Sequence, residues 1–175
     1  MKEWVRSGGV LVGTEGMASW LSKSQSGFTN VSLFEPESSD EEDKDSGYTM
    51  YADRAKESGL KRIPGAAFKA HIDNTHPLGF GMKEQLYALK FSADVFELNP
   101  DLLAIGRYAN DPNDILASGY ASLDNKEKAA SNSFAAVQNM GQGKVVLLLE
   151  NTQYRMFWIG PSRMIQNAVF QLPAH

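Results

Sequence analysis

The chain has 175 residues, of which 42% are apolar, with a formal net charge of −4 and no cysteine. That length supports one domain with its own core and is too short for two. The acidic balance and the lack of a basic stripe exclude a sequence-independent nucleic-acid binder, which needs clustered Lys and Arg to displace counterions. Without thiols there are no disulfides, thiolate metal sites or cysteine nucleophiles. No run approaches a membrane span, and the N-terminal "MKEWVRSGG" lacks the apolar stretch of a signal peptide.

In chain order, Lys2 to Ser7 reads as the last turns of a helix, with Trp4 and Val5 facing inward and Gly8-Gly9 ending it. A buried strand over Gly9 to Gly13 follows, then a tight turn and a helix from Gly16 to Lys23. Strand, sharp turn and helix is the layout that exposes a nucleophile at a sheet edge. Here the tip is Thr14 or Glu15. The Ser-, Asp- and Glu-rich stretch from Glu35 to Gly47 reads as a mobile acidic surface loop, since charge without apolar content cannot offset ordering entropy. Asp40, Glu41, Glu42, Asp43 and Asp45 supply oxygens for a cation, but their spacing does not match an EF-hand.

Tyr51 to Ser58 reads as a short helix with Gly59 just past its end. Strands are expected at Ala66 to Ile72, Gln85 to Phe91, Asp94 to Leu98, Leu102 to Tyr108 and Ile115 to Ala121. Phe134 to Asn139 and Lys144 to Leu149 form a hairpin, whose "VVLLL" run belongs in a central strand. The last element, Tyr154 to Leu172, carries Ile165, Ala168, Val169 and Leu172 at the spacing of an amphipathic helix lying on the sheet, with Pro161 near its start in a first helical turn. The pattern is α/β: a buried sheet, flanking helices and an antiparallel extension.

His71, Asp73 and His76 can be written as metal ligands, yet no further internal histidine completes a zinc set. The competing reading of "HPLGFG" is a structural turn. No G-x-S-x-G occurs, and Ser118 before Gly119 reads as a strand end. Arg155 among Tyr154 and Trp158 reads as a loop locked onto the core.

Taken together, "IPGAAFKAHIDNTHPLGFGM", "SGY", "GKVVLLLENTQYRMFW" and "RMIQNAVF" carry a resemblance. The chain resembles the class I glutamine amidotransferase-like domain at the C-terminus of a group of bacterial zinc carboxypeptidases. The matching positions are Pro64-Gly65, His76 to Gly81, Ser118 to Tyr120, Lys144-Val145, Tyr154 to Gly160 and Asn167-Ala168. The resemblance implies a flavodoxin-like sheet. Aligned on Gly16, it sets Thr14 where an amidotransferase has its cysteine, with no His-Glu partner pair. A threonine hydroxyl needs a positioned base, so the elbow is read as catalytically silent.

In such a fold the elbow strand follows two βα units, whereas here it begins near residue 9, so the chain reads as the C-terminal part of a larger protein. The resemblance therefore implies a non-catalytic accessory domain, spanning residues 1–175, of a secreted or periplasmic parent. Peptidase activity and zinc would belong to an upstream domain. Two alternatives stand beside it. One is a free-standing degenerate hydrolase using Thr14 or Glu15 with His71 or His76. The other is a carbohydrate-associated domain that stacks sugars on Tyr120, Arg155 and Trp158, beside Ser118. A sheet lacking its first strands exposes an edge, and a homodimer through that edge is the expectation.

Overall fold

A computed structural model describes residues 1–35, 50–100, 102–156 and 158–174. The acidic loop and its cation alternative lie almost wholly outside these residues. Among the described residues, seven strands form one mixed sheet: β1 (Val10–Thr14), β2 (Ala66–Ile72), β3 (Gln85–Lys90), β4 (Leu103–Tyr108), β5 (Leu116–Gly119), β6 (Ser133–Met140) and β7 (Gly143–Leu148). The order is β1-β7-β6-β4-β2-β3, with β5 beside β4 along β2. Only the β1–β7 pair is parallel; the remaining described pairs are antiparallel. The helices are α1 (Lys2–Arg6), α2 (Gly16–Leu21), α3 (Tyr51–Leu60), α4 (Leu123–Ala129) and α5 (Ile159–Phe170).

The burial pattern follows from strand position. The apolar run of β7, flanked by β1 and β6, is buried on both faces, as an interior strand must be. β2 instead alternates. Ala66, Phe68, Ala70 and Ile72 are buried, while Ala67, Lys69 and His71 are half-buried on the other face. α5 contacts both edge strands, β1 and β3, and so lies across the sheet. Met164, Ala168 and Leu172 are buried there. Asn167 clamps the turn before β3, its Nδ2 donating to the carbonyls of Leu78 (2.8 Å) and Phe80 (2.9 Å). Gly79 in that turn has no room for a side chain, since a Cβ would sit 2.2 Å from the Asp73 carbonyl.

Several expectations shift. Val5 is buried but Trp4 is largely exposed, its ring lying over Gly9. Gly59 falls inside α3 rather than beyond it. The strand expected over Asp94 to Leu98 is reduced to bridges from Phe96 to Leu33 and Ser133. In the last element Arg155 takes a left-handed φ of 49° in the turn Tyr154–Met156, and α5 starts at Ile159 with Pro161 in its first turn, as expected, whereas Val169 is exposed. The sequence reading has no counterpart for α4, whose start is marked by Ser122 accepting from the Asn125 N–H.

Candidate functional site

β1 ends at Thr14, and the next residue, Glu15, adopts φ 49° and ψ −127° before α2 begins at Gly16. The Glu15 N–H donates to the Leu148 carbonyl at 2.8 Å, so the turn is fixed to the end of β7. Its own carbonyl accepts from the Ser19 N–H at 3.1 Å, starting the helix. Gly13 permits the close packing of α2 on β1, because a Cβ there would meet Leu21 at 2.5 Å. Holding a non-glycine residue at such a φ costs about 1–3 kcal/mol. The strained tip of the elbow is therefore Glu15, one residue beyond the position that alignment on Gly16 assigns. Thr14 is the last residue of the strand, half-buried, and Glu15 is exposed.

Behind this tip lies a polar cluster that the sequence reading does not contain. Lys90 and Tyr108 are fully buried and Glu150 is 3% exposed. Lys90 Nζ donates to the Asp94 carbonyl (2.6 Å), to Glu150 Oε1 (3.0 Å) and to the Tyr108 hydroxyl (3.2 Å), which uses all three of its protons. Tyr108 in turn donates its hydroxyl proton to Glu150 Oε1. Its ring packs on Phe68 and Phe134, with centroids 5.6 and 5.2 Å away.

Burial pushes the Glu150 carboxyl above the usual carboxylate range, opposed by the Lys90 charge and aided by the negative charge of Glu15. Burial and the neighbouring Glu150 hold the Tyr108 phenol well above its usual range, so it remains a donor. Two longer contacts join cluster and elbow. Ser19 Oγ donates to Asp94 Oδ2 at 2.8 Å, and Asn151 Nδ2 to Glu15 Oε2 at 3.4 Å.

The other residues singled out by sequence divide into two places. His71 lies on the open face of β2, opposite Phe68 and Ala70, and three strands separate β2 from β1. Asp73 and His76 belong to one turn. Asp73 Oδ1 accepts from the Thr75 N–H and hydroxyl, its carboxyl is held below the usual range chiefly by the Thr75 hydroxyl, and His76 Nδ1 accepts from the Leu78 N–H at 3.1 Å. Among the described residues no group of three His, Cys, Asp or Glu could hold a metal ion.

Ser118 and Tyr120 are exposed around Gly119, whose φ of 92° and closeness to the Gly65 carbonyl admit no side chain. Gly65 abuts the Phe91 ring, which packs on Tyr154 at 5.1 Å, and the Arg155 guanidinium lies 5.0 Å from the Tyr154 ring centre. Phe91, Tyr154 and Arg155 thus follow one another through these contacts. Trp158 is half-buried and donates its Nε1 proton to the Tyr87 carbonyl, closing the free side of β3. Among the described residues, no helix is long and apolar enough to cross a membrane. Compared with known proteins, the chain matches no family model, no curated protein and no solved structure.

Proposed function

We propose that the chain is a non-catalytic accessory domain of a zinc carboxypeptidase-like protein, an amidotransferase-like unit of flavodoxin-like type. The observation that carries this reading is the elbow. It keeps the strained strand–turn–helix backbone of a nucleophile turn but presents the carboxylate of Glu15. Attack of a carboxylate on an amide would give an anhydride, higher in energy than the amide consumed, so Glu15 cannot replace the thiolate of an amidotransferase. The cluster behind the tip balances its own charges, and Lys90 has no proton to spare for a substrate.

β1 supports the same reading, because among the described residues it forms one edge of the sheet and pairs on one side only. A strand of a neighbouring domain would continue the sheet there, as would a second copy pairing through the same edge. Peptidase activity, zinc and a secreted or periplasmic address belong, on this reading, to the parent protein. The isolated chain is expected to hydrolyse neither peptides nor glutamine. Turnover that disappears in Thr14→Ala, Glu15→Gln or His76→Ala would overturn the proposal.

The ring pair Phe91 and Tyr154, with Arg155 over the Tyr154 ring, and the exposed Tyr120 favour a second reading as a carbohydrate-associated domain. A glycan array on which Tyr120→Ala lowers binding would support it. An array without hits removes it.

A further inference from the structure

The open face of the sheet carries a second constellation, independent of the elbow and of the accessory-domain reading. Strand register sets Arg107 of β4, His71 of β2 and Gln85 of β3 directly side by side in one row. Neighbouring strands lie about 4.8 Å apart, so the row spans roughly 10 Å. Each side chain points away from the buried face, because the adjacent row of Tyr108, Ala70 and Leu86 points inward. The next outward pair is Lys69 and Tyr87.

Charge is distributed unevenly over this face. Lys69 is neutralised by Asp114 at 2.5 Å. Arg107 is exposed, and among the described residues its guanidinium has neither an ion pair nor a hydrogen bond. The His71 ring and the Gln85 amide are likewise without side-chain partners there. Three donors in register, one of them a fixed planar fork, therefore face outward with no acceptor from the protein. Beside them is a groove of about 470 Å³ lined by Lys69, His71, Gln85, Tyr87 and Asp114. That size lies within the roughly 300–1,000 Å³ usual for small-molecule sites.

We propose that this face is a binding site for a small oxyanion-bearing molecule, whose carboxylate or phosphate group is held by Arg107 and His71 while its body lies along Gln85 and Tyr87. The chemistry follows from the donors. A guanidinium binds two oxygens of a carboxylate or phosphate at once, and a flanking imidazole N–H and amide N–H donate to further lone pairs. Tyr87, more than half exposed, supplies a flat wall for the remainder of the ligand.

The test is a titration of the whole chain followed through its backbone amide NMR shifts, with inorganic phosphate, with citrate and with uncharged glycerol. Saturable shifts at residues 69–71, 85–87 and 107 with phosphate, citrate or both are expected, and glycerol should give none. Saturation by phosphate alone assigns a phosphate ligand, and by citrate alone a carboxylate. Arg107→Gln is expected to weaken binding by about tenfold or more, as loss of a charge-assisted pair does. Lys61→Gln, an exposed cation elsewhere, should leave it unchanged. Because Arg107 is exposed, its replacement should not disturb folding, which circular dichroism verifies. No saturation with either anion, or equal binding by Arg107→Gln, would overturn the proposal.

Discussion

Lys90, Tyr108 and Glu150 show how one buried charge constrains its surroundings. Removing one member of a buried ion pair leaves the other uncompensated, at a cost of about 3–5 kcal/mol. Lys90→Met should therefore lose about that much stability at pH 7, measured by urea unfolding. The loss should shrink towards pH 5. In the native chain the folded pKa of Glu150 is already raised above its ordinary 4.5, so its contribution is fully present below pH 4.5 and is lost as pH rises through the raised value. Without Lys90 the carboxyl rises further and can escape burial of its charge only by taking a proton. A loss independent of pH would contradict this account. At the elbow, Glu15→Gly should raise stability by about 1 kcal/mol, since glycine relieves most of the strain while adding unfolded-state entropy. A loss of stability there would show that the side chain of Glu15 holds the turn.

Among the elements, the clamp between α5 and the turn before β3 makes the sharpest prediction. Asn167→Ala leaves the Leu78 and Phe80 carbonyls without their donor and should cost about 1–3 kcal/mol. Gly79→Ala should cost more, because the new methyl must displace the Asp73 backbone. Thermal melts of the two variants check both. These residues were legible in sequence as parts of motifs, and the structure gives "HPLGFG" and "Asn-Ala" a shared mechanical role. Strand β2 was legible to the residue because its apolar alternation has period two. The polar cluster was not. Lys90 carries a local signal, a charge at the inward position of the alternation Leu86, Ala88, Lys90. Its partner lies 60 residues away, and no local pattern encodes that pairing. The choice between Thr14 and Glu15 at the elbow is not legible for a related reason: a glycine pattern marks that a turn exists, whereas φ at Glu15 decides which residue forms its tip.

At the scale of the molecule, one parallel pair is joined to an antiparallel run, and α5 touches both edge strands of the sheet. The mixed α/β class was legible from the alternation of apolar strands with amphipathic segments. The large antiparallel share rests on pairings between distant strands that composition does not specify. The elbow at the end of β1 and the half-paired edge of β1 are the two features that tie this architecture to the accessory-domain proposal. If that proposal holds, the domain acts in its cell as part of a longer chain. The most direct test is the mass of the native protein recovered from its host with an antibody against this domain. The expected result is a species well above 19.3 kDa that contains zinc and trims C-terminal residues from peptides. A native species of 19.3 kDa, free of zinc and of peptidase activity, would contradict the account.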